Sequence, residues 1–460
     1  MQDLGPPADQ PQGSFLGHVN VVMLTYAVDG LLAFASGVLV AVALGPAGRG
    51  AFSLFVISTA IGQMVLGLGF GNAAIYYINK RLLPARDVVS AAHVVALASV
   101  VATAACLAII VPFAGDEVAG AHVPAWLLVA AVPALVYAAA LRTVLQAMSR
   151  FVEMGIATVV QPLVMLALVV VADATGHPTP ARIVGFWVIS NVVAAAFAAA
   201  RLGPRMIDIG QIVRPRWRAI RSLLGFGVQG EAGNLLQLLN YRLDQYILRA
   251  FVGLAGVGIY AVGVSMTEAV WLIANAVAIV LLPRLTAAGD DDVRWMTPVA
   301  ARNTILVAAL GSGALAVAAP LLLPTFFGHA YDDSVQALWW LLPGTVALTG
   351  SKVLTSYIFS QGRPLVNTGI TLVSLVVTVI ALFSLVPPFG VNGAAAASSI
   401  AYSAHLCASL FAYWRMSGQS PLEALVPRPS DARLWIDGAR GVLAKLGRRP
   451  PEAAAPRAGG

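Results

Sequence analysis

Apolar runs of membrane-spanning length follow one another along this chain, separated only by short polar breaks. About 20 residues at 1.5 Å rise cross the hydrocarbon core of a bilayer. Spans are predicted near 16–44, 51–79, 88–113, 123–145, 155–172, 182–203, 222–249, 254–282, 298–323, 334–360, 365–386 and 393–415. Of the 460 residues, 59% are hydrophobic and 11% charged, against roughly 25% charged in a soluble domain. The expected fold class is all-α: a polytopic membrane protein of about 12 transmembrane helices.

The basic residues set the topology. With the N-terminus inside, most of the 28 Lys and Arg fall in cytoplasmic positions. Only Arg49, Arg182 and Arg249 fall outside, with Arg242 and Lys352 in or near the membrane. The acidic outer pairs Asp116–Glu117 and Asp332–Asp333 agree. Both termini are expected to be cytoplasmic. The net charge of +7 is thus a topology signal, and no nucleic-acid partner is expected. After Met416 the tail holds a basic amphipathic patch, Leu434 to Leu446. It is read either as lying on the anionic inner leaflet or as part of a solvated tail.

The halves of the chain resemble each other. Gly45-Pro46-Ala47-Gly48-Arg49-Gly50-Ala51-Phe52 matches Gly253-Leu254-Ala255-Gly256-Val257-Gly258-Ile259-Tyr260. Pro133 and Arg142 match Pro343 and Lys352 at nearly the same spacing. The division expected is a tail (1–15), a six-span half (16–203), a basic linker (204–221), a second six-span half (222–415) and a basic tail (416–460). Two halves of the same orientation imply a pseudo-two-fold axis along the membrane normal, a plan of secondary transporters with the site between the halves.

The stretch from Gly225 to Pro283 carries ionisable groups inside two such spans: Glu231, Arg242, Asp244 and Glu268. An ionisable side chain there is expensive unless it faces protein or water. At 100° per residue, Glu231, Asn234, Gln237, Tyr241, Arg242 and Gln245 share a sector of roughly 140°. Either this stripe faces a solvated cavity, or it packs against neighbouring helices. The first span mirrors it, with Tyr26, Asp29 and Ser36 on one face. Asp29 is about 20 Å and Glu231 about 15 Å from the cytoplasmic ends of their helices. Carboxylates at that depth suit proton coupling or ion binding, and Asp29, Glu231 and Glu268 are the candidates. A structural salt bridge, Lys352 with Glu231 or Glu268, is the competing reading. Asp244 is placed near the outer boundary, pairing with Arg242 or Arg249. Asn234, Gln237 and Gln245 suit hydrogen bonding to a polar cargo or helix bridging, and Tyr241 and Asp244 complete the polar wall.

Enzymatic readings lack their residues. There is no phosphate-cradling G-x-x-x-x-G-K-[ST] loop and no H-E-x-x-H site. Cys106 and Cys407 sit in apolar runs, so neither a disulfide framework nor a metal or cofactor site is expected.

Several segments carry a resemblance: LGPAGRGAFSLF with GLGFGNAAIYYINKR, then NYRLDQYILRAFVGLAGVGIYAVGVSMTEAVWLIANAVAIVLLPRLT, then FFGHAYDDSVQALWWLLPG, YIFSQGRPLVNTGI and FGVNGAAAASSIAY. In order and spacing they resemble the polysaccharide (O-antigen type) flippases of the multidrug/oligosaccharidyl-lipid/polysaccharide exporter superfamily. The resemblance implies a V-shaped bundle of two six-helix lobes that alternates access. It implies a bacterial inner-membrane location and a polyprenyl-diphosphate-linked glycan as cargo. Membrane lipid, H+ or Na+, and polysaccharide assembly proteins are the partners it implies. Lipid II flippases are relatives, typically with two further helices for which no apolar segment remains here. A diphosphate inside a membrane needs cations, and Lys352, Arg242 and Arg142 are the candidates. Arg242 has snorkelling to the outer interface, and Arg142 anchoring at the cytoplasmic end, as simpler roles. The alternatives are a multidrug or cation antiporter of the same superfamily and, in another class, a membrane polysaccharide polymerase.

Overall fold

The computed structural model describes residues 12–115, 123–176, 178–206, 216–429 and 431. Asp116–Glu117, half of the basic linker and the patch from Leu434 to Leu446 lie outside the described residues.

The helices are α1 (Gln12–Gly67), α2 (Phe70–Asn79), α3 (Ala85–Ala114), α4 (Leu127–Ala147), α5 (Phe151–Ala174) and α6 (Pro180–Leu202). The second half holds α7 (Trp217–Phe251), α8 (Leu254–Ala287), α9 (Asp290–Phe327), α10 (Asp333–Ser360), α11 (Pro364–Ser417) and the short α12 (Pro421–Leu425). Among the described residues, eight helices are long and apolar enough to cross a membrane. Two of them are double. α1 breaks at Gly45 (φ 64°, ψ −179°), ahead of Pro46. α11 breaks at Gly390 (φ 54°, ψ −127°), just after Pro387 and Pro388. α7 and α10, at 35 and 28 residues, are long enough but more polar. Among the described residues, counting the limbs of α1 and α11 separately gives ten apolar segments, and α7 and α10 bring the long helical segments to the expected dozen.

The sequence repeat reappears in the backbone. Gly253, which matches Gly45, caps α8 at φ 99° and ψ −178°, nearly the Gly45 conformation. A left-handed φ is open to glycine and strained for other residues. The glycines that close α3 and α9, Gly115 and Gly328, also share φ 84°.

The halves meet along α1, α7 and α8. Gly50 and Gly258, repeat mates, face each other across this seam. A Cβ on Gly50 would lie 2.0 Å from the Leu254 carbonyl oxygen, and one on Gly258 would lie 1.9 Å from the Pro46 carbonyl oxygen. Pro46 and Leu254 are themselves repeat mates, so the contact is reciprocal, as on a two-fold axis. Lipid supplies no hydrophobic drive between helices, so close backbone approach through small residues is what binds them. Tyr331 donates to the Ala41 carbonyl at 2.9 Å. Leu54 of α1 is fully buried among Leu248, Tyr260 and Leu382 of the second half.

One break has no counterpart among the positive-φ residues of the second half. Leu68 (φ 47°) and Gly69 (φ 67°) interrupt the path from α1 to α2. There α2 meets α7: a Cβ on Gly69 would lie 2.2 Å from the Gly227 carbonyl oxygen. Tyr76 stacks on Phe226 at 4.5 Å between centroids, and Tyr77 donates to the Ser222 carbonyl at 3.3 Å. The halves therefore touch at both ends of the bundle.

Beyond α12 the chain is strapped to α9. Arg302 donates through Nε to Asp431 Oδ2 at 2.6 Å and through Nη2 to Oδ1 at 2.5 Å. Both side chains are about 5% exposed or less. Breaking such a buried pair by removing one charge costs about 3 kcal/mol. Arg302 holds the Asp431 carboxyl below the usual carboxylate range. The pair therefore contributes stability above the carboxylate's unfolded pKa and loses it as pH falls toward the depressed folded value. Asp431→Asn is expected to lower the melting temperature at neutral pH, and the gap from wild type should narrow in acid. Parallel melting curves across that range would show that the pair contributes nothing.

Candidate functional site

Between the second limb of α1, α7 and α8 lies a half-open cavity of about 270 Å³. Arg49, Ser53, Arg242, Gln245, Ser265 and Glu268 supply its polar lining, and Phe52, Val56, Ile57 and Leu238 its apolar walls. Arg242 Nη2 bonds Glu268 Oε1 at 2.6 Å, neutralising one guanidinium. The second, Arg49, has its plane over Phe52 at 5.6 Å. Its Nε is buried with no hydrogen-bond partner among the described residues. A buried donor without a partner is expensive, of order 1–3 kcal/mol. The cavity thus holds two fixed cations against one carboxylate and retains an unused donor. That is a setting for an anion, which arginine's planar fork can grip through two parallel bonds.

Arg49 is the residue that sequence reasoning missed. The glycine-rich motif reads as an outer turn, which put Arg49 outside the membrane. In the structure Pro46 restarts the helix directly after the Gly45 break, so Arg49 falls in its first turn and points into the seam. One signal was available: the repeat mate of Arg49 is Val257, so a cation occupies a position where the other half is apolar.

The α7 stripe divides among several environments. Glu231 accepts from Asn234 at 3.1 Å, and Asn234 is exposed. Gln237 accepts from Thr371 of α11 at 3.2 Å. Tyr241 packs against Trp271 and Tyr402, with centroids 5.1 and 5.9 Å away. Arg242 and Gln245 line the cavity, and Gln245 accepts from Ser53 across the seam at 2.6 Å. Asp244 corrects the expectation of a cavity-facing carboxylate. It is 1% exposed and accepts from Tyr260 at 2.5 Å, Ser398 at 3.3 Å and the Gln245 amide at 2.7 Å. It lies two residues from Arg242, about 200° around the helix, and so turns away from the cavity. Its expected partner Arg242 is taken by Glu268 instead. Asn240, on the same inner side, bonds Ser374 and Thr378 at 3.1 and 2.8 Å.

Glu268 and Arg242, assigned separate jobs from sequence, form one ion pair. Lys352 is not paired with Glu231 or Glu268. Its Nζ donates to Asn275 at 2.9 Å and lies 5.0 Å from the Trp271 ring centroid, on the α8 side of α10. Asp29 and Arg142 lie together in the first half, each within electrostatic reach of the other, with Tyr26 beside them. The structure therefore gathers Arg49, Arg242, Gln245 and Glu268 at the seam. Lys352 forms no ion pair with them but lies within electrostatic reach of Glu268, and Arg142 lies with Asp29 in the first half. Among the described residues, no group of His, Cys, Asp and Glu could hold a metal ion.

Solved structures of other membrane proteins share this architecture. The lipid II flippase MurJ in an inward closed conformation aligns with a TM-score of 0.71 at 12% identity, covering 94% of this chain and 94% of that one. A multidrug resistance MATE family transporter of the MOP superfamily, inward-facing, gives 0.66 at 17% identity, covering 86% and 98%. A MOP superfamily transporter from Pyrococcus furiosus gives 0.55 at 15% identity, covering 86% and 94%. No curated protein matches the sequence. These likenesses show the fold. A family model described as polysaccharide biosynthesis protein matches residues 39–336, more than half of the chain. The chain thus belongs to the polysaccharide biosynthesis protein family, built on the fold of the MOP superfamily.

Proposed function

We propose that this protein flips a polyprenyl-diphosphate-linked oligosaccharide from the cytoplasmic to the outer leaflet for cell-surface polysaccharide synthesis. The observation that carries the reading is the cationic excess of the seam cavity, which is lined by Arg49, whose buried Nε has no hydrogen-bond partner among the described residues. A cation antiporter would meet repulsion there; a diphosphate would meet the uncompensated Arg49 fork beside the Arg242–Glu268 pair. Lys352 and Arg142 extend the cationic surface into either half, and Asp29, Glu231 and Glu268 are the carboxylates available for ion coupling.

At about 270 Å³ the cavity is smaller than the roughly 300–1,000 Å³ typical of a drug-sized ligand site. It accommodates a head-group phosphate but no oligosaccharide, so transit requires the halves to part. They part first at the Gly69–Gly227 contact to admit the glycan and later at the Gly50–Gly258 crossing to release it. The lobes 16–203 and 222–415 rock about these two contacts while the lipid tail stays in the bilayer.

The test is flipping of a fluorescent polyprenyl-diphosphate sugar in proteoliposomes, read by its exposure to an outside reductant. Wild type is expected to flip the lipid, and Lys352→Ala to flip it at least tenfold more slowly, the loss of one charge-assisted bond. Absence of flipping, together with export of an organic cation under a proton or sodium gradient, would move the protein to the antiporter reading.

A further inference from the structure

A second site lies on the outer surface of the bundle, away from the seam. The two limbs of α11 run side by side after the break at Gly390, so the beginning and end of this helix come to one level. Arg363, at the start, and Arg415, in the last turn, stand at the mouth of a groove of about 400 Å³ between them. Both arginines are exposed, and neither forms an ion pair with a described residue. No acidic residue lines the groove.

The walls are apolar and follow helical spacing. Val366, Ile370 and Val373 form one face, and Phe411 with Met416 the other. Gly369 opens the floor, where an added Cβ would meet nothing within 4 Å. From Arg363 to Val373 the groove descends about 15 Å along the helix. That is half of a hydrocarbon core about 30 Å thick, the depth of one leaflet. Trp414 and Phe411 are exposed beside the arginines, with the Arg415 guanidinium 5.9 Å from the Trp414 ring. Aromatic rings and arginines at one level mark the head-group region.

We propose that this groove is a binding site for an anionic phospholipid of the adjoining leaflet. The phosphate sits between Arg363 and Arg415, and an acyl chain lies along Val366, Val373 and Phe411. Basic pockets between transmembrane helices hold lipid head groups in this way. A groove one leaflet deep fits a membrane phospholipid, whereas a polyprenyl carrier would overrun it. The site is independent of the cargo assigned above.

Native mass spectrometry of the purified protein with dioleoylphosphatidylglycerol or dioleoylphosphatidylcholine tests it. The wild type is expected to retain the anionic lipid in preference. The doubly substituted Arg363→Gln, Arg415→Gln protein should bind it about 30-fold more weakly, two surface charges' worth. Gly369→Leu, which fills the floor without touching the arginines, should weaken it as well. Both substitutions fall on exposed positions, and a melting curve checks that the fold survives. Equal retention of the two lipids, or unchanged affinity in both variants, overturns the proposal. So does displacement by inorganic phosphate alone, which would make this a phosphate site, or by undecaprenyl phosphate at lower concentration, which would make it a carrier-lipid site.

Discussion

Arg49→Gln is expected to slow flipping of a polyprenyl-diphosphate sugar by about 10- to 150-fold, with the protein still folded. The range follows from one charge-assisted hydrogen bond of roughly 1.5–3 kcal/mol. Glutamine keeps much of the side chain's length and some hydrogen-bonding capacity but removes the charge. Stability gives an independent reading. Arg49 Nε is already buried without a hydrogen-bond partner, so removing a desolvated cation should leave the melting temperature unchanged or raise it. Arg49→Lys separates charge from geometry. It keeps the cation but loses the planar fork, and should fall between wild type and Gln. A protein that melts earlier while each folded molecule flips at the wild-type rate would make Arg49 a structural residue.

Gly258→Ala is expected to open the seam between the halves. Its Cβ would lie 1.9 Å from the Pro46 carbonyl oxygen, where ordinary contact begins at 3.4 Å. The helices must separate by about 1.5 Å, and neither backbone can rotate away as a side chain could. The loss should be near the top of the ~1–3 kcal/mol range for overpacking. Two cross-seam bonds would lengthen with it, Ser53 to Gln245 and Ser58 to Tyr246, both 2.6 Å. Labelling of a cysteine placed at Ser53 with a membrane-impermeant thiol reagent reads the opening directly. Faster labelling and a lower melting temperature are the expected pair of results. Wild-type labelling with wild-type melting would mean that the crossing is not the contact that closes this end. Gly50→Ala, its repeat mate, should behave alike, because its Cβ meets the Leu254 carbonyl oxygen at 2.0 Å.

Much of the architecture is legible in the sequence because lipid simplifies the problem. A spanning segment must satisfy its backbone internally, so a long apolar run dictates a helix. The breaks at Gly45 and Gly390 follow from glycine and proline chemistry, and the matched motifs at Gly45–Phe52 and Gly253–Tyr260 announce two related halves. Where the turn chemistry misled, at Arg49, the reason is local. Pro46 starts a helix as readily as it punctuates a loop, and only the observed path of α1 decides between them.

The sequence by itself determined the number of crossings, the repeat and the presence of charge within the spans, since each rests on local composition and period. Only the tertiary structure decided which polar groups meet. A helical wheel places Arg242, Asp244 and Gln245 around one axis but does not say what stands opposite each. Packing set those partners: Glu268 of α8 for Arg242, Tyr260 and Ser398 for Asp244, Ser53 of the other half for Gln245, and Asn275 for Lys352. These contacts join residues far apart in the chain, and their geometry depends on how each helix is rotated and how closely Gly50 and Gly258 let the halves approach. No local pattern encodes that.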